Sequence, residues 1–246
     1  MSTSQRKAPR AVAVRETPAP AESVDMPPVR GRARALANLP RRDAAATQEA
    51  LLSAATEEFA RNGFAGARVD VIAASAGVNK QLVYHYYGSK EGLYRQALET
   101  VYAQLREKEQ ALSLADMAPA EAMSALVGFS FDYLNEHPEF ISLLADENRS
   151  KGQHIKESQP LLQMHLPLVE LLEATLARGV ASGVFRSDYD AVNLYISVAG
   201  LSYFFFSNNH TLSVIFGKRL DSRAALANRR KHVIDFALHA LRPDAS

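Results

Sequence analysis

The chain has 246 residues, 47% of them hydrophobic, with no cysteine and a formal net charge of +1. That length holds one or two domains with a sizeable core, and the missing cysteine excludes disulfides, thiolate metal sites and a cysteine nucleophile. No apolar run approaches the ~18 residues of a membrane span and no signal-peptide core opens the chain, so a soluble cytoplasmic protein is expected.

Residues 1–43 are rich in Pro, Ala and Arg, without periodicity. Nine basic against four acidic side chains give them +5, leaving −4 for the rest. This segment is expected to be a disordered basic tail, read as a solvated extension, with an arm making sequence-independent phosphate contacts or a targeting peptide as the alternatives. From Thr47 to Asn62, Leu51, Leu52, Ala55 and Phe59 recur at helical spacing, with Thr47 as N-cap and Gly63 as terminator. A short helix through Val69, Ile72, Ala73 and Ala76 stops at Gly77. After Val78, Asn79 caps a second short helix that Gly88 closes. Ser89 caps a fourth, running to about Leu112.

Beyond Pro119 the pattern stays helical. Residues 120–136 end at His137-Pro138, where proline stops one helix and opens the next. Phe140, Leu143 and Leu144 carry that next helix to about Arg149. Leu161, Leu172 and Leu176 mark a longer pattern, interrupted mildly at Pro167 and ended by Gly179 and Gly183. Asp188 is the expected cap of a strongly apolar helix reaching Asn208. Residues 209–217 are a short connection or helix, and 222–241 form the last amphipathic helix. No strand alternation, internal repeat or Gly-rich phosphate loop is visible, so the fold class is all-α.

The two short helices around Gly77 form a helix-turn-helix, whose second helix can enter a DNA major groove. Leu82, Val83 and Tyr87 lie at packing spacing. Lys80, Gln81, Tyr84, His85 and Tyr86 are left outward, as side chains that reach phosphates and base edges. Lys90 opposes the dipole of the helix it opens, which a nearby phosphate would justify. The local charge is roughly neutral, so only Arg68, Lys80 and Lys90 could supply a basic face.

The run Ile72-Ala73, Ala76-Gly77-Val78-Asn79, Val83-Tyr84-His85-Tyr86-Tyr87-Gly88-Ser89-Lys90-Glu91 and Leu93 resembles the DNA-binding domain of the TetR family of bacterial transcriptional repressors. Arg68 stands where the family usually has threonine, and Asn79 where serine is common. The resemblance implies a helix-turn-helix domain over 44–98, built of three helices, and a helical effector-binding and dimerisation domain over 99–246. It makes Lys80, Gln81, Leu82 and His85 the expected base-edge readers, and Arg68, Tyr84, Tyr86 and Lys90 the expected backbone contacts. It also implies a homodimer, joined through the helices near 188–208 and 222–241, that binds a palindromic double-stranded operator and answers to a small effector.

His137-Pro138-Glu139-Phe140, Glu147-Asn148, Gly183-Val184-Phe185-Arg186 and Ser207-Asn208-Asn209-His210-Thr211-Leu212-Ser213 are similar to the branch containing RutR- and NicS-like regulators of nitrogen-heterocycle breakdown. That implies a planar heterocycle as effector, such as a pyrimidine or nicotinate, with Asn148, Gln163 and Tyr203 as expected lining. Asp146-Glu147 reads either as a solvated helix end or as polar pocket lining. The apolar run Tyr203-Phe204-Phe205-Phe206 needs burial on nearly all sides, by core or by a second subunit.

The other histidines, 137, 154, 165, 210, 232 and 239, lack metal-site spacing and read as surface or capping residues. No nucleophile–base motif or cofactor fingerprint is present, so no enzyme, cofactor or metal is expected. A helical protein-interaction module and a transcriptional activator are the alternative readings.

Overall fold

The computed structural model describes residues 41–164 and 166–243, with residues 41–43 given by backbone alone. The expected disordered tail, as far as residue 40, and His165 lie outside the described residues. Among those described, every regular element is helical. The elements are α1 (Arg41–Gly66), α2 (Val69–Ser75), α3 (Lys80–Tyr87), α4 (Lys90–Gln110), a 3₁₀ turn (Leu114–Asp116), α5 (Pro119–Glu136) and α6 (Pro138–Arg149). They continue as α7 (Gln153–Lys156), α8 (Gln159–Gln163), α9 (Leu166–Ala181), α10 (Ala191–Ser207), α11 (Asn209–Phe216) and α12 (Arg223–Ala240).

Local chemistry sets most of these boundaries. Asn79 Oδ1 accepts from Gln81 N–H at 2.9 Å, and Ser89 Oγ accepts from Gly92 N–H at 3.1 Å, each satisfying an orphan donor of the helix that follows. Pro119 and Pro138 open α5 and α6 in the first turn, where a missing N–H costs no hydrogen bond. Gly77, at φ 68°, takes the left-handed conformation that separates α2 from α3.

Three expectations need correction. α1 begins at Arg41, upstream of Thr47, so the helix enters the stretch read as tail. Asp190, not Asp188, caps α10, accepting from Asn193 N–H at 2.7 Å, while Asp188 pairs with Arg186. The long pattern around Pro167 is split, with Leu161 on α8 and Leu172 and Leu176 on α9.

Two apolar clusters hold the helices together. The first joins Leu51, Ala55 and Phe59 of α1, Val69 and Ile72 of α2, Val83 of α3 and Leu93, Tyr94 and Leu98 of α4. It runs on into Tyr133, Phe140 and Leu143. The expected division between residues 98 and 99 therefore falls inside one unbroken helix, α4, and one continuous core. The second cluster packs α5 (Met123, Leu126, Phe131) against α9, α10 and α12 (Leu172, Leu194, Val198, Val233, Ala237). At roughly 25 cal/mol per Å² of apolar area removed from water, these clusters supply the main driving force for folding.

Candidate nucleic-acid interface and effector cavity

Helix α3 buries one face and shows the other. Val83 is fully buried in the first cluster, which sets the rotation of the helix. Lys80, Gln81, Tyr84 and His85 consequently face solvent. Lys80 Nζ lies 6.0 Å from the centre of the Tyr84 ring one turn on, and the His85 and Tyr86 rings are 5.2 Å apart. Tyr86 is half-buried against the first cluster. Tyr87 packs there too, and its hydroxyl donates to the Gln48 carbonyl at 3.2 Å. Burial, with a contribution from Tyr86, pushes the Tyr87 phenol up to about 12. α3 thus projects cationic, amide, imidazole and phenol groups from a rigidly packed base.

A second feature lies between α4, α5, α6 and α10. A cavity of about 470 Å³ is lined by Tyr102, Leu105 and Glu109 of α4 and by Ser130 and Tyr133 of α5. Phe140, Leu144 and Asn148 of α6 and Tyr195, Ala199 and Tyr203 of α10 complete its walls. Residues 140, 144 and 148 repeat every four positions and form one stripe of α6, while α10 turns two adjacent stripes toward the space, 195, 199 and 203 with Ile196 and Gly200 beside them. Size and apolar character suit a small organic ligand.

Glu109 forms an ion pair with Arg106 one turn earlier at 2.6 Å, both side chains 8% exposed. Burial pushes the Glu109 carboxyl up to about 7, and the Arg106 charge only partly opposes this. Burial, with help from Glu139, likewise raises Tyr133 to about 12, against the pull of Arg106, so the phenol stays a neutral hydrogen-bonding group.

The two features meet at α6. One face of α6 lines the cavity, and its C-terminal half grips the helix-turn-helix unit. Asp146, 7% exposed, accepts from Phe64 N–H at 2.7 Å and from the Tyr94 hydroxyl at 3.2 Å through Oδ2, and from Arg149 through Oδ1 at 2.5 Å. Burial opposes ionisation of Asp146. The Phe64 N–H, Arg149 and Tyr94 outweigh it and hold the carboxyl below its ordinary range.

Glu147, 1% exposed, accepts from the backbone N–H groups of His154 and Ile155 at 2.8 and 3.1 Å, and its Oε2 lies 2.9 Å from His154 Nδ1. The rings of Phe64, Tyr94 and His154 pack together, with centroids 4.7 to 5.1 Å apart. At this junction the backbone of α1 breaks at Gly63, with φ 66° and ψ 172°. That conformation is almost confined to glycine, and a Cβ there would come within 2.9 Å of Asp146 Oδ1.

Comparison with known proteins agrees with this architecture. Residues 51–97 match the model of bacterial regulatory proteins of the tetR family, and residues 119–237 match that of the tetracyclin repressor-like C-terminal domain. The HTH-type transcriptional repressor NicS of Pseudomonas putida is 37% identical over 196 residues, covering 80% of this chain and 92% of that one. The chain belongs to the TetR family. The HTH-type transcriptional regulator RutR of Escherichia coli K12 is 33% identical over 110 residues, or 43% of this regulator and 50% of RutR. A crystal structure of the putative transcriptional regulator SCO4942 from Streptomyces coelicolor shares the fold, at 25% identity and a TM-score of 0.61. The match covers 80% of this chain and 99% of that one. No helix of the described residues is long and apolar enough to cross a membrane.

Within this TetR-family regulator, the expected site residues are distributed unevenly. Lys80, Gln81, Tyr84 and His85 share the exposed face of α3, with Tyr86 at its edge. Leu82 is a correction: at 8% exposure it points inward, as its packing spacing also implied, and cannot reach a base edge without leaving the fold. Arg68 is exposed, but its guanidinium is held by Asp70 at 2.7 Å. Lys90 Nζ sits 4.9 Å from the Phe64 ring centre, so an aromatic face already offsets its unfavourable place at the helix start.

Asn148 and Tyr203 line the cavity, whereas Gln163 is exposed on α8 and is not among its lining residues. Neither reading of Asp146-Glu147 describes them, because both are buried in the α1–α6–α7 junction. His154 is 4% exposed, a buried partner of Glu147 and not a surface residue. Glu109 went unnoticed in the sequence. Its i, i+3 pairing with Arg106 was the available signal, but the same spacing decorates any solvated helix.

Proposed function

We propose that this regulator is a ligand-responsive repressor that binds a palindromic operator as a homodimer in the cytoplasm and controls breakdown of a nitrogen heterocycle. The observation that carries the DNA reading is the exposed face of α3, where Lys80, Gln81 and His85 stand outward on a helix fixed by Val83. Lys80, Gln81 and His85 read base edges in this proposal, and Arg68, Tyr84, Tyr86 and Lys90 contact phosphates, Arg68 by exchanging Asp70 for a phosphate oxygen. One eight-residue helix spans few base pairs, so specificity calls for two helices related by symmetry. The dimer reading is supported by Ile196, Phe204 and Phe236 on α10 and α12, which remain 60, 59 and 54% exposed within one chain.

The cavity is the proposed effector site, with Asn148 and Tyr203 among its contacts. Similarity to NicS over most of the chain supports the heterocycle class. An effector wedged against Phe140, Leu144 and Asn148 would bias the position of α6, and the Asp146 clasp would pass that bias to α1 and the helix-turn-helix. A ligand shifts this equilibrium only by its difference in affinity for the two states. The test is selection of genomic duplexes by the full chain, followed by titration of heterocycles into a DNA-shift assay. Duplex binding that is steeply salt-dependent and weakened by effector is expected. Salt-insensitive binding overturns the DNA reading, and an effector that saturates the protein without changing operator affinity overturns the coupling.

A further inference from the structure

We infer that the cavity between α4, α5, α6 and α10 selects uncharged planar ligands that present an N–H donor to Glu109, and rejects carboxylates. This rests on the reading of that cavity as the effector site and narrows its ligand class. Glu109 is 6% exposed and is the acidic residue of the cavity lining, and its Oε2 faces the Arg106 guanidinium at 2.6 Å without a well-aligned hydrogen bond. Arg106 does not line the cavity. It borders an adjoining void of about 30 Å³ together with Glu109, so the cation lies outside the ligand space.

The cavity lining contains no lysine, arginine or histidine among the described residues. Its other polar groups are neutral: the phenols of Tyr102, Tyr133, Tyr195 and Tyr203, the Ser130 hydroxyl and the Asn148 amide. A carboxylate entering here would lose its water, find no cation and face a buried acid. A ring N–H or amide N–H would instead find an acceptor in the Glu109 carboxylate, a charge-assisted contact between rings that accept stacking. Pyrimidine-like lactams and carboxamides fit this requirement, and pyridine carboxylates do not.

The test is calorimetric titration of the full chain at about pH 8, where a free carboxylate is ionised, with two probes of one shape, pyridine-3-carboxamide and pyridine-3-carboxylate. The carboxamide should bind at least about tenfold more tightly, the size of one charge-assisted hydrogen bond, and Glu109→Gln should reduce that preference to near parity. Ala199→Phe, which fills the cavity from α10, should abolish binding of both while leaving the unfolding midpoint close to the parent's.

Carboxylate binding as tight as the amide's overturns the inference, as does a preference that survives Glu109→Gln. So does failure of the carboxamide to saturate the protein at millimolar concentration. Binding that persists in Ala199→Phe shows that the ligand sits elsewhere, and the effector-site reading then fails along with the inference built on it.

Discussion

Helices α3 and α6 are both short and amphipathic, and they place their polar residues in opposite surroundings. α3 turns Lys80, Gln81 and His85 to solvent over an apolar base. α6 turns Asp146 and Glu147 inward, where Asp146 collects donors from α1 and α4 and Glu147 from the start of α7. Polar groups outside a packed helix are available to an external partner. Polar groups buried within one have already chosen internal partners and fix the geometry of what they join. In this chain the first arrangement suits the proposed DNA contact, and the second holds the helix-turn-helix unit to the cavity wall.

The largest expected effect is at the buried clasp. Asp146→Ala strands Phe64 N–H and the Tyr94 hydroxyl and should lower unfolding stability by about 3 kcal/mol at neutral pH, as read by urea denaturation. Asp146→Asn keeps the volume and separates charge from packing. Because the folded-state carboxyl is held below its ordinary range, its stabilisation is present above the unfolded value near 3.9 and disappears as pH falls through the folded value. The parent should therefore lose this contribution in acid, and Asp146→Asn should lack that loss. A parent and an Asn variant with identical acid profiles would mean that Asp146 is not a charged clasp.

Gly63→Ala attacks the same joint from the α1 side. It forces a side chain into a glycine-only backbone region and against Asp146, and should cost about 2–3 kcal/mol, while Gly66→Ala, three residues on, should not. This joint also shows where sequence reading stops. Asn79, Ser89, Pro119 and Pro138 act within three or four residues of themselves, so spacing alone reveals their roles. The bond from Phe64 N–H to Asp146 spans 82 residues, and no local pattern records it. Gly63 was legible as a helix terminator but not as the glycine that makes room for Asp146. The cavity was only half legible for the same reason: the stripes on α6 and α10 follow helical period, but which stripes face one another is decided by tertiary packing. Gln163, on the short helix α8, shares neither stripe.

The cavity wall gives a third contrast, because its buried acid is shifted the opposite way from Asp146. With Glu109 pushed up to about 7, the folded chain holds a proton that the unfolded chain has released, from the ordinary carboxyl range up to neutrality. Stability should therefore fall as pH rises through that window, by of order 2 kcal/mol from this group. Glu109→Gln should flatten that slope whatever it does to absolute stability. Urea midpoints across about pH 5 to pH 8 decide the matter, and an unchanged slope would place the proton elsewhere.

The smallest effects belong to the exposed helix, where binding and not folding should respond. Gln81→Ala and His85→Ala should leave stability within about 0.5 kcal/mol of the parent and cost about 1–3 kcal/mol of discrimination between operator and mismatched duplex. Lys90 tests the boundary between the two regions, since its ammonium lies over Phe64 of the clasp and beside the proposed phosphate track. If both contacts operate, Lys90→Ala should cost about 0.5–1 kcal/mol of stability from the lost cation–aromatic contact. It should also reduce the salt slope of duplex binding by about one while weakening all sequences alike. A stability loss with an unchanged salt slope would assign Lys90 to the clasp alone and move the edge of the nucleic-acid interface back to α3.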